Sequence, residues 1–179
     1  AKYYEPRRLM LSINHFMRSH TIGVVNAELV DEEFHARFSA KHRHYVYKIL
    51  NRDAINIIND GLYTFIRYPL DVEAMRRAAE YLIGHHDFSS FRARECQANS
   101  PMKTMDKIEI VQRGEVIEIY FSALSFLHHM VRNIVGSLIM VGSGKWSPEK
   151  MQEVLHVKNR MAAGPTAPAD GLYFLRIDY

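Results

Sequence analysis

The stretch 106–123, "DKIEIVQRGEVIEIYFSA", is two runs of alternating apolar and polar residues, broken once at Arg113-Gly114. Period-two alternation puts one side of each run against a core and the other in water, and the glycine allows a tight reversal. The stretch therefore reads as an antiparallel hairpin. The next stretch changes period. In "SALSFLHHMVRNIVGSLIMVGSG" (122–144), Val131, Ile134, Val135, Leu138 and Ile139 fall at i, i+3, i+4, i+7 and i+8, the stripe of a helix. Arg132 sits at the edge of that stripe. It shares a face with Gly136, one turn on, where the missing side chain would let another segment come close.

Working outward, "PRRLMLSINHFMRSH" carries Leu9, Ile13, Phe16 and Met17 at the spacing of a short amphipathic helix, and "TIGVVNAELV" reads as a strand. "HRHYVYKIL" is a further strand, with Tyr45, Tyr47 and Ile49 on one face and His44, Val46, Lys48 and Leu50 on the other. "PLDVEAMRRAAEYLIGHH" is a helix with Asp71 as N-cap and Gly84 as stop signal. Another helix starts at Ser147-Pro148, "GPTAPADG" is a loop, and "LYFLRIDY" is a closing strand. Hairpin-joined strands separated by a few helices predict an α+β fold: a mostly antiparallel sheet with helices packed on one face. No repeat, low-complexity tract or linker interrupts the chain, so one domain is expected over residues 1–179.

Composition narrows the function classes. With 47% hydrophobic and 24% charged residues the chain reads as globular. No apolar run reaches the roughly 18 residues of a membrane span. The start "AKYYEPRRLM" has no signal-peptide pattern and no initiator Met, which predicts a non-secreted, trimmed chain. Cys96 is the only cysteine, so an internal disulfide is impossible and a reducing cytoplasm is the expected location.

The net charge of +3 is unevenly spread. Arg37, Lys41, His42, Arg43, His44, Lys48 and Arg52 are interleaved with Phe38, Tyr45 and Tyr47, a mixture suited to phosphates and unstacked bases; the alternative is a solvated strand face. Ten histidines raise the question of a metal, but no Cys-rich or H-E-x-x-H spacing supplies a ligand set, and no metal is expected. A G-x-S-x-G elbow, a Walker loop and a G-x-G-x-x-G are all absent, so no nucleotide cofactor has a cradle.

Three stretches remain, "DEEFHARFSAKHRHYVYKIL", "GHHDFSSFRA" and "FLHHMVRNIVGSL", together with the terminal "GLYFLRIDY". In this order they resemble the C-terminal part of the tRNA pseudouridine synthase A family, and the resemblance runs over essentially the whole chain. It implies the C-terminal half of the pseudouridine synthase fold and a cofactor-free isomerisation of uridine to pseudouridine in the tRNA anticodon arm, by a homodimer. A carboxylate attacks the nucleoside, the glycosidic bond breaks, and uracil turns and reattaches through carbon. The target base must first leave its stack.

By this resemblance Tyr45, the first of the Y-x-Y pair, contacts the flipped base; the alternative is a strand tyrosine packed in the core. Arg132 of M-V-R-N orients the catalytic aspartate, with Gly136 leaving room for its approach; the alternative is an arginine snorkelling from a helix edge. Arg37, Lys41, Arg43, Lys48, His128 and His129 are candidate RNA contacts. The family's nucleophile stands in G-R-T-D, and none of the aspartates here follows Gly-Arg-Thr. Asp87 and Asp170 belong to other family elements. The resemblance thus implies a fragment that begins just after the catalytic motif and is inactive by itself. The rival reading is a non-catalytic RNA-binding module.

Overall fold

A computed structural model describes residues 4–54 and 61–179. The chain falls into two compact units, Ala1–Ser39 and Ala40–Tyr179.

In the first unit, α1 (Pro6–Phe16) begins where Glu5 accepts hydrogen bonds from the Arg7 and Arg8 amides and Pro6 takes the first turn. Its predicted stripe stays open to solvent, with Leu9, Ile13 and Phe16 all exposed. The strand expected over residues 21–30 does not form. There the Asn14 side chain replaces a partner strand: its Nδ2 donates to the Val24 carbonyl at 2.8 Å, and its Oδ1 accepts from the Val24 amide at 2.7 Å. One amide group thus satisfies both main-chain groups of Val24, and the β-prone residues form no ladder.

The second unit is built on β1 (His42–Asn51). Along one edge β1 pairs antiparallel with β5 (Val116–Ala123), which pairs with β4 (Met102–Arg113), which pairs with β3 (Gly84–Asp87). Its other edge is shared. The first half pairs antiparallel with β6 (Leu172–Asp178), and the last residues pair parallel with β2 (Thr64–Ile66). The fold is α+β, with a six-stranded, mostly antiparallel sheet.

The hairpin forms where the sequence predicts it. Arg113 and Val116 are paired across Gly114-Glu115, and only Gly114 has positive φ (60°), as a II′-type reversal requires at its first position. β5 buries Ile117, Ile119, Phe121 and Ala123. β4 starts earlier than the alternation suggests, at Met102, because an irregularity between Met105 and Lys107 takes Asp106 out of register. Met105, out of phase with Ile108 and Ile110, is thereby turned into the core. In β6 a second irregularity, opposite His44 and Tyr45, leaves Leu175 without a partner: His44 faces Arg176 while Tyr45 faces Phe174.

Three helices cover one face. α2 (Val72–Glu80) is capped by Asp71, whose Oδ1 accepts from the Ala74 amide at 2.9 Å. It ends at Glu80, short of the expected stop; Gly84, at φ 106°, opens β3 instead. α3 (Met130–Gly142) lays Ile134, Val135, Leu138 and Val141 on the sheet. α4 (Lys150–Val157) follows a tight turn opened by the Ser147 carbonyl, so its regular part begins later than Ser147-Pro148 predicts. Their buried side chains form one core with Tyr47, Ile49, Ile117, Ile119 and Phe121. No helix of the described residues is long and apolar enough to cross a membrane.

The bare patch at Gly136 is filled by the chain's own loop. A Cβ built there would lie 1.7 Å from the Pro165 carbonyl oxygen, and one on Gly164 would lie 2.9 Å from the Gly136 carbonyl carbon. This corrects the expectation that Gly136 makes room for a catalytic aspartate: backbone from residues 164–165 already occupies the space. Alanine would favour the helix itself by about 1 kcal/mol. That gain is small beside the clash, so Gly136→Ala should destabilise the protein by about 3 kcal/mol or more. Chemical denaturation of the purified variant measures this, and an unchanged midpoint would refute such close packing.

Candidate active site

The site forms where β1, α3 and the loop before β6 meet. A pocket of about 480 Å³ is lined by Tyr45, residues 126–132, Ala169 and Leu172. Tyr45 and Arg132, far apart in sequence, therefore line one cavity.

The Y-x-Y pair divides its roles by depth. Tyr47 is fully buried, and its hydroxyl donates to the Pro168 carbonyl at 2.7 Å and also bonds the Thr64 hydroxyl. Burial pushes its pKa up to about 12, only partly offset by the Thr64 bond. Tyr45 is half-buried, with Phe126 edge-on at 5.0 Å and Phe174 tilted at 5.0 Å. These rings hold its plane, and its hydroxyl bonds no described residue. Burial raises the Tyr45 pKa, with the Arg43 charge opposing. The phenol therefore stays protonated at neutral pH and can donate a hydrogen bond.

Arg132 is anchored at one end. Its Nε donates to the Ala167 carbonyl at 2.7 Å, while the Ala167 amide donates to the Arg132 carbonyl at 3.1 Å. Neither terminal nitrogen has an acceptor among the described residues. The side chain is therefore no loosely snorkelling arginine: its stem is fixed and its two-pronged end is left to the pocket, the geometry that takes a carboxylate through parallel bonds.

Two histidines complete the rim. Their rings lie 4.0 Å apart, and His129 takes the left-handed backbone conformation (φ 59°), a cost of about 1–2 kcal/mol for an L-residue. Burial, then the charges of His128 and Arg132, lower the His129 pKa. At neutral pH it offers a flat, uncharged ring.

No carboxylate lines the pocket among the described residues. Asp87 is held elsewhere: burial acts to raise its pKa, but bonds from the Ser89 hydroxyl and amide, with the Lys158 ammonium, outweigh that and keep it low. Asp170 follows Ala169 of the pocket wall and is exposed. Asp60 lies outside the described residues.

The family model described as tRNA pseudouridine synthase matches residues 78–179, more than half of the chain. The chain belongs to the tRNA pseudouridine synthase family. A protein named tRNA pseudouridine synthase A from Ehrlichia canis (strain Jake) is 53% identical over 168 residues, which are 94% of this chain and 69% of that protein. One of the same name from Nitrobacter hamburgensis is 50% identical over 179 residues, 100% of this chain and 73% of that protein.

For a pseudouridine synthase the basic run is less open than its composition suggests. Arg37 lies in the first unit, its guanidinium 5.4 Å from the Phe38 ring centre. Arg43 donates through Nη1 to the Leu124 carbonyl. Lys48 is 3.7 Å from Glu118 and 5.3 Å from the Tyr173 ring centre, so its charge is already countered. Lys41 is exposed and has no ion pair among the described residues. His42 and His44 face Asp106 and Asp178 respectively, at 3.6 and 2.8 Å.

Three participants in the site were missed from sequence. Phe126, from the connection before α3, and Phe174, from β6, pack edge-on and tilted on Tyr45, and the sequence marks 164–171 only as a loop. The available signal was Asn133, a fully buried polar residue beside Arg132 in an oily helix.

The two tyrosines should separate on mutation. Tyr47→Phe takes a bonding partner from the buried Thr64 hydroxyl and a donor from the Pro168 carbonyl, and should cost about 1–3 kcal/mol of stability. Tyr45→Phe removes a hydroxyl with no partner among the described residues and should leave the melting temperature nearly unchanged. Equal destabilisation by both would mean that Tyr45 is a core residue.

Proposed function

We propose that this pocket receives a uridine flipped out of the anticodon arm of tRNA and that the enzyme isomerises it to pseudouridine. The observation that carries this reading is that Tyr45 and Arg132 line one cavity, the hydroxyl of one and the terminal nitrogens of the other without partners among the described residues. Its volume lies within the roughly 300–1,000 Å³ typical of small-ligand sites. In the proposed reaction Tyr45 meets the uracil ring and can donate a hydrogen bond to it. Arg132 grips the nucleophilic carboxylate and keeps it ionised. The carboxylate attacks the sugar C1′ and displaces uracil at N1; the released uracil rotates, its C5 attacks C1′ and displaces the carboxylate, and C5 loses its proton as N1 gains one.

That carboxylate comes, in this reading, from a segment outside residues 1–179. The reading is supported by the absence of a Gly-Arg-Thr-Asp run here and by the greater length of the relatives. The family resemblance further supports a cytoplasmic homodimer.

Two measurements test this. In the full-length protein, Arg132→Lys keeps the charge but loses the fork, so kcat should fall far more than tRNA affinity. Equal losses would favour a general RNA contact, as in a non-catalytic binding module. Residues 1–179 alone should give no pseudouridine in an unmodified anticodon-arm transcript by chemical labelling; conversion would show that a carboxylate within them is the nucleophile.

Salt dependence tests the RNA face. Each phosphate contact contributes about 0.7–0.9 to the slope of log affinity against log salt. Lys41→Ala should therefore flatten the slope by nearly one unit, and Lys48→Ala, its charge countered by Glu118, by much less. Identical slopes for both variants and the parent would mean that this strand end is only a solvated face.

A further inference from the structure

Arg132 is oriented by a main-chain carbonyl, so it can be no better fixed than residue 167. Residue 167 lies on a loop that its own amide ties to α3 and that Tyr47 ties to β1 at Pro168. The residues just before it are tied by a second arginine. Arg160 donates through Nη1 to the Gly164 carbonyl at 2.9 Å, and through Nη2 to the Thr166 hydroxyl at 2.9 Å and to Asn133 Oδ1 at 3.0 Å. Its contact with the Ala163 carbonyl, 3.5 Å, is at the edge of bonding distance and adds little.

The Thr166 hydroxyl in turn donates to Asn133 Oδ1 at 2.7 Å, and the Gly164 amide donates to the Ser137 hydroxyl at 2.9 Å. Asn133, 1% exposed, has its own Nδ2 committed to the Phe91 carbonyl at 2.9 Å. The network thus joins the loop to α3 at Asn133, the residue next to Arg132. Arg160 does not line the pocket.

We propose that Arg160 is a positioning residue for the reaction, setting the direction of Arg132 through the Asn133–Thr166 network and the Ala167 carbonyl. This rests on the reading of Arg132 as the residue that orients the nucleophile. A planar fork is required, because one guanidinium binds loop carbonyl, loop hydroxyl and helix amide in fixed directions; an ammonium has the charge without that geometry.

The test is a double-mutant cycle in the full-length protein with an unmodified tRNA transcript, reading kcat, KM and melting temperature. A displacement of about 1 Å at a positioned group can cost roughly 100-fold in rate, so Arg160→Lys should lower kcat by about 10- to 100-fold with KM little changed. In an Arg132→Lys background, where the fork is already lost, Arg160→Lys should cost about threefold or less, the non-additivity expected of two residues acting as one unit. Added guanidinium should restore part of the activity of Arg160→Ala.

If Arg160 variants fail to fold, Thr166→Val removes only the bridging hydroxyl and should show the same pattern at smaller amplitude. An equal fold loss in both backgrounds, or a lower melting temperature with unchanged kcat, would overturn the proposal and leave Arg160 a stability residue. Normal kcat for Arg132→Lys alone would instead remove the reading of Arg132 and this inference with it.

Discussion

Two backbones meet at Gly136 and Gly164 without a side chain between them, and the site depends on that approach. With the chains this close, the Ala167 amide and carbonyl both reach Arg132, and the Gly164 amide reaches Ser137. A single methyl group on either glycine would push the loop off the helix. Sterics set the distance first. The hydrogen bonds, each worth about 1 kcal/mol net, then fix the direction.

The pocket's electrical character follows from the same packing. Its described lining contributes one permanent cation, Arg132, and no carboxylate, while burial keeps both the Tyr45 phenol and the His129 ring uncharged at neutral pH. An anion entering this cavity would meet a positive charge with no carboxylate among the described lining to oppose it. Tyr47, two residues from Tyr45 on the same face, shows how depth divides the pair: one hydroxyl cements the sheet to the loop at Pro168, and the other has no partner among the described residues.

The sheet and its helices were largely legible because alternation and the 3.6-residue stripe each correspond to one buried face. Departures came where a side chain or an extra residue intervened. Asn14 bonds both main-chain groups of Val24 and leaves a β-rich run without a strand, and Asp106 steps out of register so that Met105 turns inward. At the site, the motif resemblance singled out Tyr45 and Arg132, and the structure brings them to one cavity. The loop that sets Arg132 was invisible because most of its bonds end on main-chain groups, which carry no residue signature. Charge in a sequence likewise does not reveal that Lys48 is paired with Glu118.

The unpaired Leu175 acts as a phase shift in the last strand. Up to Phe174, alternate side chains of β6 lie on the same side as Tyr45 and Tyr47; beyond the slip the parity reverses, so Arg176 sides with His44, and Asp178 with His42. Had the strand run on in regular pleat, Arg176 and Asp178 would have pointed to the side of Tyr45. One surplus residue instead sends Asp178 to the opposite side, where it lies 2.8 Å from His44. Deleting Leu175 would keep this arrangement, since Arg176 would then follow Phe174 in regular pleat; pairing Leu175 in register is what would turn the strand's end over.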